Sequence, residues 1–380
     1  MPDRTTLTRA RAMAGAALLC FVALNLALYP LNSYFERQRR NNLMQSERAL
    51  SGSQEIPRYD WSVGGEQQKY WAYMPDARQQ PLVVLDGMSQ IYAINEEQPG
   101  DRITSEILDD SLQGSGTRVF SIAAPNLNHE ELLFHLHALT RDSATTPRLL
   151  VFGVCFDKMR NMEVRETMRD VLAEVPALDS AWRHSGDSLQ AEFPELAKQM
   201  MRTLEGARSR QTLRFDQRVE QSLVNNVSEI LPVVAIRSDL RTFLYERAYL
   251  LRNWMFGIKT STKRPILADR YTLNQQALVA AVRYAKQHGM RVLLYVIPLN
   301  RSAETPYITE QYNGFKSWLQ ETAITERAAF ADLDTAVPDA SWGLLYGQPD
   351  FKHFKEAGHV ATAKALLPLI RAQLTDSLAR

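Results

Sequence analysis

Short, continuous apolar runs recur along the chain from residue 81 onward. Four of them are rich in β-branched and large aliphatic residues, and a weaker fifth follows; they cover 81–85, 117–122, 149–154, 291–297 and 329–333. Runs of this length without alternation are typical of strands that are covered on both faces, as in a parallel sheet. The pattern therefore predicts five mainly parallel strands.

Helical patterns alternate with these runs. Apolar positions recur at helical spacing over 129–140, 273–288, 307–323 and 355–378. Strands that alternate with helices favour a doubly wound α/β sheet. Between the third and fourth strands, residues at about 158–270 are charged, rich in arginine and mostly helical in pattern. We interpret this segment as a helical insertion.

The N-terminus carries an uncharged apolar stretch over 13–29, and its extension to 31 approaches the roughly 20 residues that span a membrane. A basic leader precedes it, so we predict a cytoplasmic leader at 1–12 and a single transmembrane helix at 13–31. A stalk at 32–78 would then lead to one large α/β domain at 79–380, on the periplasmic or outer side of the cytoplasmic (inner) membrane. A cleaved signal peptide is the alternative.

Charge and cysteine content exclude some classes of function. The 44 basic and 43 acidic residues give a formal net charge of +1, which offers none of the basic excess expected of a nucleic-acid-binding protein. The two cysteines, Cys20 and Cys155, lie in different apolar surroundings and do not suggest a disulfide framework.

The first candidate for chemistry is a serine just beyond the first predicted strand. In open parallel sheets, ligands bind at the carboxyl ends of the strands. There Asp86-Gly87-Met88-Ser89 offers a glycine for a tight turn and a hydroxyl at the mouth of the sheet. A helix beginning at this point would direct its N–H groups to the same place. Such a serine is, by itself, more often a helix cap than a nucleophile.

The second candidate lies just before the last predicted helix, where Asp350 and His353 are three residues apart. A serine nucleophile needs a base, and the base needs a partner that fixes its tautomer. Asp350 and His353 have the right chemistry for both roles. The alternative is a surface loop in which Asp350 caps the final helix. His359 is another possible base, but it falls a turn into that helix.

Together the two elements resemble the SGNH/GDSL hydrolase-like family. The string over 84–95, VLDGMSQIYAIN, is similar to the family's first block, and DFKH over 350–353 is similar to its last. The resemblance covers roughly 81–160 and 290–375, judged against the expected order of strands and helices. The anchor, the size and the insertion most resemble envelope members, such as the D-alanyl transfer protein of teichoic acid D-alanylation and periplasmic polysaccharide O-acetylation proteins.

The resemblance implies a role for each matched residue. Ser89 would be the nucleophile and an oxyanion donor through its N–H, His353 the base, and Asp350 its partner. No metal or organic cofactor is implied. Candidate oxyanion or substrate-binding residues are Gly87, Asn126 and Asp157.

Two of these candidates depart from the family's pattern. Asn126 stands in the second block, where the family has glycine, and it tolerates positive φ. Asp157 stands where the third block has asparagine, and an ionised carboxylate there would repel an oxyanion. The departure at Asp157 makes the oxyanion site the least regular part of the match.

The predicted function is serine-dependent acyl transfer to or from hydroxyl groups of an envelope polysaccharide or polymer. A membrane-bound O-acyltransferase is the expected partner. Two other interpretations stay open: an esterase with a small or lipid substrate, and a non-catalytic assembly factor of an acyltransferase complex. The departure at Asp157 favours the assembly factor, whereas the presence of serine, histidine and aspartate favours an enzyme.

Overall fold

The computed structural model describes most of the predicted α/β domain. The described residues are 82–98, 100–141, 146–211, 261–345 and 348–375, the short strand at 58–60, and scattered helical positions within 15–30 and 244–257. The chain divides into two units, one made of 49–211 and 260–380 and the other of 1–48 and 212–259. In the second unit the described positions are helical or in a turn, and their side chains are exposed.

The first unit is built on a sheet of six described parallel strands. They are β1 (Arg58–Asp60), β2 (Leu82–Gly87), β3 (Arg118–Ala123), β4 (Leu149–Val154), β5 (Arg291–Val296) and β6 (Ala329–Asp332). Their order is β1-β3-β2-β4-β5-β6, and each neighbouring pair is parallel. The chain moves from β2 to β3 on one side and then returns to β4 on the other. The strand order therefore reverses at β2, which is where open α/β sheets bind their ligands.

The prediction of a mainly parallel α/β sheet is confirmed. All six positions of β2 and of β4 are buried, so both faces of these central strands are covered. The additional strand, β1, falls inside the predicted stalk at 32–78 and pairs with β3 from Arg58↔Ser121 to Asp60↔Ala123. It was missed because its three residues, Arg-Tyr-Asp, carry no apolar run.

Eight described α-helices surround or extend this sheet. They are α1 (Thr104–Gln113), α2 (His129–Leu139), α3 (Glu166–Glu174), α4 (Pro176–Leu189), α5 (Pro194–Gln211), α6 (Ala268–Gln287), α7 (Thr309–Thr325) and α8 (Glu356–Thr375). Helix α1 packs against α8, and α2 packs against α6. The start of α2 is fixed by a reciprocal cap, since Asn128 accepts from the N–H of Glu131 and the Glu131 carboxylate accepts from the N–H of Asn128.

The first part of the segment interpreted as an insertion contains α3, α4 and α5, which pack against one another. Their apolar faces join the main hydrophobic core, in which Trp182 is fully buried. The Trp182 indole N–H donates to the carbonyl of Met200 at 3.0 Å, which ties α4 to α5. The described part of the insertion is thus part of the domain core. Most of its remaining length, 212–260, lies outside the described residues.

A two-stranded antiparallel sheet precedes α8. Strands β7 (Trp342–Leu345) and β8 (Gln348–Phe354) form it, with Trp342 paired to Phe354. The alternative of a surface loop around Asp350 and His353 is therefore wrong, because both residues lie on β8. The sequence gives a weak strand signal there, since the seven residues of β8 include a proline and only two large apolar side chains.

The predicted transmembrane helix at 13–31 lies mostly outside the described residues. Within the described part of the chain, no helix combines the length and the apolar character that crossing a membrane requires. The cytoplasmic leader and the side of the membrane on which the domain lies stay predictions.

Candidate active site

Ser89 lies at the carboxyl end of β2, two residues beyond Gly87. Met88 is extended, with φ −98° and ψ −170°, and a single 3-10 turn then runs over Ser89–Ile91. An α-helix does not begin at this point, because the single turn ends at Ile91. Ser89 therefore has no helix dipole directed at it. The turn leaves Ser89 half-buried, between the buried Met88 and Gln90.

His353 and Asp350 are brought to this serine by β8, from the far end of the sequence. The distance from Ser89 Oγ to His353 Nε2 is 2.8 Å, and that from His353 Nδ1 to Asp350 Oδ2 is 2.9 Å. Side-chain exposure falls along the chain of bonds, from 19% for His353 to 1% for Asp350. The three predicted residues thus form one continuous hydrogen-bonded chain, with the acid at its buried end.

The surroundings of Asp350 favour its ionised form. Burial raises the pKa of this carboxyl, but the hydrogen bond and charge of His353 and the N–H groups of Lys352 and His353 outweigh burial and lower the pKa below its usual value. Both N–H groups donate to Oδ1, at 3.0 and 3.2 Å. Oδ2 is left for the imidazole, with a longer bond of 3.3 Å from Asn95 Nδ2.

This arrangement assigns the tautomer of His353. An ionised carboxylate only accepts hydrogen bonds, so Nδ1 of the imidazole carries the proton that it donates to Asp350. Nε2 is then unprotonated and accepts from the Ser89 hydroxyl. The geometry therefore has a base in contact with a nucleophile, oriented by a buried acid.

Gln90 holds the two halves of the site together, and the sequence analysis missed it. Its Nε2 donates to the carbonyl of Lys352 at 2.6 Å and to that of Pro298 at 2.8 Å. The side chain thus links the residue after Ser89 to the residue before His353. Both acceptors are backbone carbonyls, so no residue type in the sequence marks them as partners of Gln90. Gln90 is buried, and this burial, which would indicate its role, is known only from the structure.

The tentative oxyanion residues lie at the ends of neighbouring strands. The Gly87 carbonyl accepts from the N–H of Ala124 at 3.2 Å, next to the turn that contains Asn126. Asn126 has φ +58°, the conformation that a glycine would adopt there. These positions agree with a site at the carboxyl edge, while the oxyanion roles stay predictions.

Asp157 is engaged elsewhere. Both of its carboxylate oxygens accept from Arg264 Nη1, at 3.1 and 3.2 Å. The guanidinium therefore lies against this carboxylate, while the repulsion of an oxyanion by an ionised Asp157 stays a prediction. Arg264 belongs to the segment that leads into α6, far away in sequence, so spacing could not reveal the pair.

Other histidines near the sheet have structural partners. His135 Nδ1 lies 2.8 Å from Asp86 Oδ2, and both residues are fully buried. His359 lies in the first turn of α8 and its Nδ1 accepts from the N–H of Thr104 at 3.2 Å. Neither replaces His353 as the contact of Ser89. No group of three or more potential metal ligands occurs among the residues that the structure describes.

No protein-family model and no curated protein matches the sequence. Thirteen chains of solved structures match the fold. Three of them are 11–14% identical to this chain.

The first is a presumed acylhydrolase from Bacteroides fragilis NCTC 9343, with 11% identity over 80% of this chain and 96% of that one, at a TM-score of 0.37. The second is TesA, with 14% identity over 77% and 99% at 0.36. The third is a lipase/acylhydrolase from Enterococcus faecalis, with 11% identity over 77% and 97%, also at 0.36. Scores this low carry no argument about function, which rests on the geometry of the site. That geometry is a hydrogen-bonded serine, histidine and aspartate at the carboxyl edge of a parallel α/β sheet.

Proposed function

We propose that this chain is a serine-dependent acyl-transfer enzyme of the SGNH type. One observation carries the proposal: the continuous chain from Ser89 through His353 to Asp350, with bonds of 2.8 and 2.9 Å. A hydroxyl becomes an effective nucleophile when a base takes its proton, and here the base is already in contact and its tautomer is fixed.

The reaction has two halves. In the first, Ser89 Oγ attacks the acyl carbonyl carbon while His353 Nε2 takes the hydroxyl proton. The tetrahedral intermediate collapses, the bond to the leaving oxygen breaks, and the imidazolium returns the proton to that oxygen. In the second half, an acceptor hydroxyl loses its proton to His353 and attacks the acyl-serine. The bond between the acyl carbon and Ser89 Oγ then breaks, and the imidazolium returns the proton to Oγ. Water as acceptor gives hydrolysis, and a sugar hydroxyl gives transfer.

The substrate and setting are the finer part of the proposal. The acceptor is a hydroxyl of an envelope polysaccharide or polymer, and the acyl group is supplied by a membrane-bound O-acyltransferase beside which the domain is anchored. Three sequence features support this setting, because together they most resemble envelope members of the family: the apolar stretch predicted to span the membrane, the size of the chain, and the insertion after the third predicted strand. An esterase acting on a small ester would use the same three side chains.

Covalent labelling tests the nucleophile directly. Purified full-length protein is treated with a fluorophosphonate probe, and the labelled residue is identified by mass spectrometry. Label on Ser89 in the wild type, and its loss in Ser89→Ala and His353→Ala, is the expected result. Ser111→Ala is the matched control, because Ser111 is exposed on α1 and its hydroxyl donates to the carbonyl of Ile107 in the same helix. Ser89→Ala should show no label at this position, because the hydroxyl that the probe modifies is gone. His353→Ala should label on the order of 10³-fold more slowly, because Ser89 then lacks its base.

A second assay separates transfer from assembly. A deletion strain carries each variant, and ester-linked acyl groups on the envelope polymer are quantified together with the level of the protein. Ser89→Ala should leave the polymer unacylated at normal protein level. Full acylation restored by Ser89→Ala would contradict the catalytic role and favour the assembly factor, whereas Ser89-dependent turnover of small esters without any change in the polymer would favour the esterase.

A further inference from the structure

Lys158 is a buried cation at the carboxyl edge of the sheet. It lies in the short 3-10 helix that follows β4, and only 4% of the residue is exposed. Its Nζ donates to Asn126 Oδ1 at 2.6 Å. Among the residues that the structure describes, no carboxylate forms an ion pair with Lys158. Desolvation of an ammonium is unfavourable unless another group compensates for it.

The strand order shows where this ammonium lies. Asn126 follows β3 and Lys158 follows β4, and these two strands lie on opposite sides of β2. Neighbouring strands are about 4.8 Å apart, so β3 and β4 are separated by about 10 Å. A bond between residues that follow these two strands must therefore cross the carboxyl end of β2, where Ser89 begins its turn.

A residue of β8 is close enough to Lys158 to act on it electrostatically. Lys352, whose charge acts on Lys158, immediately precedes His353. Its carbonyl is bound by Gln90, which immediately follows Ser89. Lys158 is therefore close to the part of β8 that carries His353, the residue that contacts Ser89. This proximity adds to the bond that Lys158 makes across β2.

We infer that the Lys158 ammonium stabilises the oxyanion that forms when Ser89 attacks an acyl carbonyl. An ammonium has three N–H donors, and the bond to Asn126 uses one of them. Asn126 orients the group, and the ion pair with Arg264 keeps the neighbouring Asp157 from neutralising it. In this way Lys158 supplies the donor that the third block of the resembling family provides with asparagine.

The electron pairs and protons balance without a transfer from the lysine. The bond from Ser89 Oγ to the carbonyl carbon forms, the π pair of the carbonyl moves to its oxygen, and the hydroxyl proton goes to His353. The resulting oxyanion accepts from the ammonium, which stabilises the transition state more than the ground state because the charge develops only there. Collapse returns the pair to the carbonyl and expels the leaving oxygen, which takes the proton from His353.

The charged groups around Lys158 give its role a measurable signature. Burial lowers the pKa of Lys158 to about 8. Cys155 and Asp157, on or beside its own helix, raise this pKa, while Lys352 of β8 and Arg264 of the segment before α6 lower it. An activity that needs the ammonium is therefore present below pH 8 and lost as the pH rises through about 8.

The inference rests on the proposed function, and the experiment distinguishes the two. Fluorophosphonate labelling of the wild type and of Ser89→Ala first establishes whether Ser89 is an activated nucleophile. Second-order rate constants for hydrolysis of a neutral aryl acetate are then measured from pH 6 to 10 for the wild type, Lys158→Met and Lys158→Arg. Lys364→Met, at an exposed position of α8, is the matched control.

We expect Lys158→Met to lower the rate constant by about 10²–10³-fold, in line with the loss of one oxyanion donor. Lys158→Arg should keep part of the rate constant. The fall of the rate constant above about pH 8, the alkaline limb of the pH profile, should be absent in this variant, because a guanidinium stays charged throughout this range. If Lys158 were purely structural, its replacement by arginine would not change the alkaline limb. The pH profile of Lys158→Arg therefore distinguishes the two roles even if Lys158→Met folds poorly.

Each other outcome has one meaning. If the wild type labels on Ser89 and Lys158→Met reacts within threefold of it, the inference is wrong and the proposed function stands. An alkaline limb that is unchanged in Lys158→Arg also overturns the inference. If Ser89 of the wild type does not label at all, the proposed function fails, and the oxyanion role of Lys158 fails with it.

Discussion

Replacing Asp350 by asparagine tests the acid–base geometry most directly, because the change is nearly isosteric. In the wild type, Oδ1 accepts from two backbone N–H groups and Oδ2 accepts from His353 Nδ1. Asparagine can keep only one of these oxygens. If its carbonyl oxygen stays with the backbone, its NH₂ group faces the imidazole, Nδ1 must become an acceptor, and Nε2 carries the proton. In that tautomer His353 cannot accept the proton of Ser89.

In the opposite orientation, the amide oxygen of the introduced asparagine faces His353 Nδ1 and restores the productive tautomer. The free-energy cost of this orientation follows from the two backbone bonds that are lost. This orientation directs the NH₂ group at two backbone donors, and leaving each buried donor unsatisfied costs about 1–3 kcal/mol. The total of about 2–6 kcal/mol corresponds to roughly 30-fold to 10⁴-fold in rate, at about 1.4 kcal/mol for each factor of ten. Loss of the negative charge that stabilises the imidazolium adds to this, so we expect kcat to fall by about 10³–10⁴-fold.

The assay is hydrolysis of a neutral aryl acetate, followed together with fluorophosphonate labelling and thermal unfolding. Asp339→Asn is the matched control, since it makes the same change at an exposed carboxylate. Activity of Asp350→Asn within tenfold of the wild type, in a protein that unfolds at its normal temperature, would refute the reasoning about the tautomer.

Two further predictions concern stability. Burial raises the pKa of Glu130 to about 7 from an ordinary value of 4.5, so this carboxyl contributes stability below pH 4.5 that is lost as the pH rises through 7. In urea unfolding, the free energy of unfolding of Glu130→Gln relative to that of the wild type should therefore rise by about 3 kcal/mol between pH 4.5 and 8. An equal difference between the two proteins at both pH values contradicts the prediction. Gly153→Ala should cost about 1–3 kcal/mol, because a Cβ there would lie 2.6 Å from Oη and 2.8 Å from Cζ of Tyr295. Tyr295→Leu in the same chain should restore part of that loss, and an unchanged unfolding midpoint in Gly153→Ala alone would count against the steric argument.

The strands of the sheet were predictable because they are buried on both faces, and continuous burial selects continuous apolar residues. Each of the five predicted runs became a strand with nearly the same bounds. Strand β1 lies beyond β3 in the strand order and has no such run, and β8 is half exposed. The local sequence was therefore too weakly patterned to predict these two strands. Their hydrogen bonds to neighbouring strands establish them as strands.

Ser89, His353 and Asp350 were identifiable from their chemistry and from their positions after the first strand and before the last helix. The distance between Ser89 Oγ and His353 Nε2 was not identifiable, because it joins residues separated by 264 positions. Only the tertiary structure brings β8 against the turn after β2, through bonds from Gln90 to backbone carbonyls that every sequence contains.

The surroundings of the site were likewise decided by the fold. The sequence determined that Asp157 stands where an amide was expected, and it raised the question of how an oxyanion would be held. The answer depends on which charges meet at the carboxyl edge. Arg264 arrives from beyond the insertion to pair with Asp157, and Lys158 reaches across β2 to Asn126. Residue types along a chain fix the available chemistry, whereas the order of strands in the sheet decides which charges become neighbours, because electrostatic interactions depend on distance in space rather than on separation in sequence.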